Sequence, residues 1–171
     1  NHDILWMGAA SGSRTLVATV LSNSLRYNNL EVIETGYGIS LRPLSIFANE
    51  VYQNCDTHRF AVKLTGEDKE HVSQKDQLLS ARMHKAITVI QFKVEGQITK
   101  RHPDYQINDR IHLEHINFEK GTVNIHGKDY KMLDMNFPTI DPKDPLKLTK
   151  EEQELINNLA LSFQHSKTLH R

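Results

Sequence analysis

The chain has 171 residues, of which 38% are hydrophobic and 25% charged, and its 21 basic and 21 acidic side chains cancel to zero formal net charge. That balance argues against a dedicated nucleic-acid binder, which carries a basic excess to displace phosphate counterions. No apolar run reaches membrane-spanning length, no signal-peptide pattern stands at the N-terminus, and the single Cys55 excludes an intrachain disulfide and fits a reducing cytosol.

The length predicts one domain, or one piece of a larger one, with a lean core. Residues from Asp3 to about Asn28 read as helix, broken near Gly12, with Ser13 placed to cap the second segment. Leu30 to Ser40, which contains Gly36-Tyr37-Gly38, reads as a turn or loop. A helix follows from about Arg42 to Gln53, with Pro43 in its first turn and Leu44, Ile46, Phe47 and Val51 as its apolar set. After an irregular stretch the longest helix is predicted from about Glu67 to Arg101. Leu79, Met83, Ala86, Ile87, Ile90, Val94 and Ile98 recur along it at helical steps, and His102-Pro103 stops it. Gly96 weakens this helix slightly.

Ile111 to Asp134 predicts a β-hairpin or small meander, with turns at Lys120-Gly121 and His126-Gly127. NFPTIDPKDPLKL holds Pro138, Pro142 and Pro145 and must be an extended loop. Thr149 and Glu152 form a capping box for a last helix to about Lys167, with a stripe of Leu155, Ile156, Leu159, Leu161 and Phe163. The fold class is therefore α+β, mostly helical, with a small β-hairpin. The ten histidines are dispersed, with no H-x-x-x-H pair, so no self-contained zinc site reads out. His84, on the apolar face of the long helix, reads as a packed residue; His112, His115 and His126 read as solvated strand positions. Arg14 and Arg26 could approach a phosphate, though each also reads as an ordinary surface residue.

The chain begins Asn1-His2-Asp3, directly before a helix. A carboxamide oxygen is a neutral hard donor for a divalent cation. A neighbouring histidine can protonate a leaving oxygen near neutral pH, and an acid beside it can hold the ring in one tautomer. Together these residue types point to metal-assisted phosphate-ester hydrolysis. The same tripeptide also reads as a polar N-cap for the first helix.

NHDILWMGAASGSR resembles the Asn-His-Asp/Glu segment of the metallophosphoesterase superfamily, in the version found in class III (Firmicutes-type) fructose-1,6-bisphosphatases. HKAITVIQFKVEGQITKRHPDY, NFEKGTVNIHGKDYKMLD, NFPTIDPKDP and LTKEEQELINNLALSFQHSKTLHR resemble consecutive segments of that family, in the same order. The tripeptide marks only the superfamily, and NFPTIDPKDP with the long-helix segment points to the family. The stretch from Tyr52 to about Gln77 matches least.

The resemblance implies a calcineurin-like two-sheet sandwich with a mostly helical insertion. It implies hydrolysis of fructose 1,6-bisphosphate in gluconeogenesis at a two-metal manganese site, in the cytoplasm. Asn1 would be a metal ligand, His2 the general acid and Asp3 its orienting partner. The family's Asp-x-His and Gly-Asp-x-x-Asp-Arg-Gly segments lie before this stretch and its further histidine ligands after it. The chain is thus expected to be an internal fragment, catalytically silent alone. Residues 1–29 would form the motif junction and first helices of the catalytic core, and residues 30–171 the helical insertion with its hairpin near 111–134. Trp6 and Met7 would pack against a sheet supplied by the rest of the parent. Expected partners are a sugar bisphosphate and the remainder of the parent chain, with no nucleic acid and no membrane; a homo-oligomer stays open. Alternatives are another phosphoesterase, acting on phosphoproteins or dinucleoside polyphosphates, and a non-catalytic helical interaction module.

Overall fold

Two short helices open the chain in the computed structural model, which describes residues 2–66 and 68–171. They are α1, His2–Ala10, and α2, Arg14–Arg26. The break between them falls where Ser11-Gly12-Ser13 placed it, and Ser13 Oγ accepts a hydrogen bond from the Leu16 backbone N–H at 3.4 Å. The expected loop after α2 contains a π-helical turn, Val32–Gly36, that buries Ile33. Its i to i+5 bonding leaves no periodic apolar trace over so short a segment.

The third helix, α3 (Arg42–Val51), buries Leu44, Phe47 and Ala48, whereas Ile46 is exposed. The predicted helix from Glu67 is two helices. A single turn, α4 (Asp68–His71), is followed by α5 (Gln74–Arg101). Ser73 makes the break: its backbone is extended, and its hydroxyl accepts from Asp76 N at 3.1 Å, a hydrogen bond that an uninterrupted helix would not offer. Glu67, the predicted start, lies outside the described residues.

The 28-residue α5 is the axis of the fold. α2 and α3 pack against it, and α6 (Lys150–His165) closes the bundle over α1 and α2. One core joins Val17 and Leu21 of α2, Leu44 of α3, Ile87 and Ile90 of α5, and Ile156, Leu159 and Phe163 of α6. Each large apolar side chain removed from water there is worth roughly 1.5–3 kcal/mol. Ala160 takes the buried place expected for Leu161, which is 49% exposed.

Gly96, expected only to weaken α5, has a packing reason. A Cβ there would lie 2.7 Å from a methyl of buried Leu146, so the absent side chain lets the Pro-rich segment seat on the helix. This contact belongs to a second apolar cluster, built from Val89, Leu113, Ile140 and Leu146.

The predicted meander is a three-stranded antiparallel sheet of β1 (Ile116–Asn117), β2 (Thr122–Ile125) and β3 (Lys128–Lys131), in sequential order. His126 and Gly127 form the two-residue β2–β3 turn with φ of 50° and 82°, the double positive φ of a type I′ hairpin.

Two lysines of α5 are fully buried. Lys93 Nζ donates to Glu152 Oε1 and to the Thr139 carbonyl, each at 2.6 Å, and both charged side chains are completely covered. Glu152 also completes the predicted capping box, accepting from Thr149 N at 2.9 Å. Its other oxygen accepts from Thr139 Oγ1 at 3.0 Å. That spends the only hydroxyl hydrogen of Thr139, so the Tyr52 hydroxyl, 3.2 Å away, donates to Thr139. About two turns earlier, Lys85 Nζ donates to Asp134 at 2.6 Å and to the Asp56 carbonyl at 3.0 Å.

Lys93→Met would strand the buried Glu152 carboxylate. It is expected to destabilise the fold by about 3–5 kcal/mol in urea unfolding followed by circular dichroism. Lys93→Met with Glu152→Leu should recover part of that loss. Recovery stays incomplete because the double variant also removes the acceptor of the Thr149 N–H, one half of the capping box, and that of the Thr139 hydroxyl.

Candidate functional site

The segment singled out by its chemistry sits at the start of α1. Asn1 lies outside the described residues, and of His2 the backbone alone is described, as the first residue of α1. Asp3 stands in the first turn of α1 and is exposed. A carboxylate there is stabilised by the positive end of the helix dipole, and the same end favours a bound phosphate.

Trp6 fixes the orientation of α1. Its ring lies 5.1 Å from Tyr37 and 6.2 Å from Phe163, centroid to centroid. Both rings belong to residues far from Trp6 in the sequence. Met7 is 72% and Ile4 67% exposed, so Asp3, Ile4 and Met7 share the outer side of α1.

The histidines divide as their surroundings dictate. His84 is buried: Nδ1 contacts the Phe60 carbonyl at 3.0 Å, and the ring meets Phe60 edge-on. A carbonyl accepts only, so Nδ1 carries the proton. Burial lowers the His84 pKa below its ordinary value, against the opposing effect of that hydrogen bond and with help from the nearby Arg26 charge. His112, His115 and His126 are exposed, as expected, but none is in a strand. His112 precedes the short helical turn before β1, His115 is the last residue of that turn, and His126 is in the β2–β3 turn. They line one shallow cleft of about 630 Å³. Among the described residues no group of three or more His, Cys, Asp or Glu side chains could hold a metal ion. Arg14 is half-buried and Arg26 exposed.

Buried Lys85 and Lys93 were missed on reading the sequence. The signal was present, since Lys93 follows Ala86 by seven residues and so shares the buried face of α5. Burial also raises the Cys55 thiol pKa and that of the Tyr52 phenol above their ordinary values, which favours the protonated form of both.

With this geometry in view, the comparisons define the class of protein. All of residues 1–171 match the family described as Firmicute fructose-1,6-bisphosphatase. The chain is 52% identical over 171 residues to the class 3 fructose-1,6-bisphosphatase of Listeria innocua serovar 6a, covering 100% of this chain and 26% of that protein. It is 52% identical to the corresponding protein of Clostridium tetani, again over the whole 171 residues and 25% of the relative. For Clostridium novyi the identity is 50% over 171 residues, with 25% of the relative covered. No solved structure matches this chain. The chain belongs to the Firmicute fructose-1,6-bisphosphatase family. It spans about a quarter of the length of the curated relatives it matches.

His84 gives a pH prediction. Because its folded pKa lies below the unfolded value near 6.5, the unfolded chain binds the extra proton more readily as pH falls below that value. The penalty is absent at pH 7 and above and grows toward acid. His84→Gln should therefore flatten the loss of stability between about pH 6.5 and 5 in urea titrations compared at matched pH. An unchanged pH slope would remove His84 from the account.

Proposed function

We propose that the protein containing this chain hydrolyses the 1-phosphate of fructose 1,6-bisphosphate, giving fructose 6-phosphate and inorganic phosphate. The observation that carries this reading is identity of 50–52% over all 171 residues to relatives named class 3 fructose-1,6-bisphosphatase. In this reading the reaction serves gluconeogenesis in the cytoplasm. Residues 1–29 belong to a metallophosphoesterase core, and residues 30–171 form an insertion upon it.

The chemistry of the opening segment supports the reading. His2 is the general acid: an imidazole titrating near neutrality can deliver its proton to the sugar oxygen as the P–O bond breaks. Asp3, next in the chain and exposed at the head of α1, is the carboxylate that orients the ring and favours its charged form. The N-terminal end of α1 favours the phosphate dianion, and Trp6 anchors that helix to the bundle through Tyr37 and Phe163.

Manganese is the divalent ion of this reading, and Asn1 would donate one carboxamide oxygen to it. One neutral amide does not hold two divalent ions, and the described residues add no cluster that could. The described residues therefore do not by themselves fit a two-metal centre, and in this reading its other donors belong to the remainder of the longer protein.

The test is phosphate release from fructose 1,6-bisphosphate with added manganese. The full-length protein should turn over, and the 171-residue chain alone should be silent. His2→Ala in the full-length protein should lower kcat by about 10²–10⁴-fold while bound manganese, counted by elemental analysis, is retained. A full-length protein inactive on this substrate but active on another phosphate ester would reject the substrate and keep the superfamily.

A further inference from the structure

A cleft of about 360 Å³ opens between the end of α2, the middle of α5 and the segment 59–63. Arg26, Arg59 and Lys63 all line it, and its lining contains no Asp or Glu. All three cations are exposed, and none takes part in any ion pair among the described residues. What holds two of them is the Tyr27 ring, with Arg26 Cζ 5.7 Å and Lys63 Nζ 5.6 Å from its centroid. A ring face orients a cation without neutralising it. The Lys63 backbone N–H donates to the Arg26 carbonyl at 2.8 Å, which ties the 59–63 segment to the end of α2. Polar groups complete the wall: Asn23, and the Ser22 and Thr88 hydroxyls 3.3 Å apart.

In a chain whose charges balance to zero, three like charges gathered around one concavity repel one another unless an anion joins them. The volume is within the range of small-molecule pockets. Two guanidinium groups supply planar forks that match phosphate oxygens, and the lysine adds a point charge. Buried His84 forms the floor with its Nδ1 committed to the Phe60 carbonyl.

We propose that this cleft is a binding site for a small phosphate-bearing molecule, gripped by Arg26, Arg59 and Lys63. The shared chemistry is a phosphate group, which a sugar bisphosphate or another small phosphate compound can supply.

The experiment is calorimetric titration of the metal-free full-length protein with pyrophosphate and separately with fructose 1,6-bisphosphate at constant ionic strength. Saturable binding of either probe is expected, weakened about tenfold or more in Arg26→Gln/Arg59→Gln and unchanged in Lys128→Gln, whose lysine is on the β-hairpin. Binding of pyrophosphate and fructose 1,6-bisphosphate alike assigns the cleft to phosphate groups in general; binding of the sugar bisphosphate alone assigns it to that compound. No saturable binding of either, or binding indifferent to the Arg26/Arg59 double substitution in a variant with unchanged helical circular dichroism, overturns the proposal. Heat rather than hydrolysis is read, so failure here leaves the phosphatase reading standing, and failure of that reading leaves the cleft to be judged by its own binding.

Discussion

The Lys93–Glu152 ion pair is the constraint on which the arrangement of the other parts depends. A buried charge is tolerated only where its partner and its hydrogen bonds are all present. Here that requirement reaches four elements at once. Lys93 comes from α5, Glu152 from the first turn of α6, Thr139 from the Pro-rich segment, and Tyr52 from the end of α3. Displacing any one of them leaves a buried donor or acceptor without a partner. The apolar core supplies most of the driving force, but area burial is not directional. The polar network selects one arrangement of the helices from those the core alone would permit.

The Pro-rich segment shows how the two kinds of interaction divide the work. It has little regular structure beyond the isolated bridge between Asp141 and Asp144. It is held by Ile140 and Leu146 in an apolar cluster, by Thr139 at the Lys93 site, and by Asp134 on Lys85 just before it. Gly96 removes the side chain that would otherwise push Leu146 away. A segment with three prolines has less conformational freedom to lose on ordering, so a few such contacts hold it without a hydrogen-bonded ladder.

The two features proposed to act on phosphate lie at helix ends. The Asn1-His2-Asp3 segment leads into α1, whose position depends on Trp6 between Tyr37 and Phe163. The cationic cleft gathers at the other end of the first helical pair, where the last turn of α2 presents Arg26. Arg26, Arg59 and Lys63 are exposed and unpaired among the described residues, so the cleft presents charge that internal ion pairs do not neutralise.

Much of this was legible in the order of residues. The Gly12 break, the Ser13 cap, the Thr149–Glu152 capping box, the His126-Gly127 turn and the helix stop at His102-Pro103 were all expected, and all are present. These are local devices, in which a side chain satisfies backbone groups within a few residues of itself. The tertiary structure alone decided which atoms meet across long separations. Lys85 and Lys93 are buried because Asp134 and Glu152, 49 and 59 residues away, arrive to receive them. Trp6 meets rings of its own chain, Gly96 makes room for Leu146, and Arg26, Arg59 and Lys63 come to line one cleft. Helix periodicity and capping act over one to four residues, so the sequence by itself determined the main helices and their caps, though not the break at Ser73 or the π-helical turn at Val32–Gly36. Burial of charge and convergence of side chains depend on which elements pack together, and no local pattern contains that information.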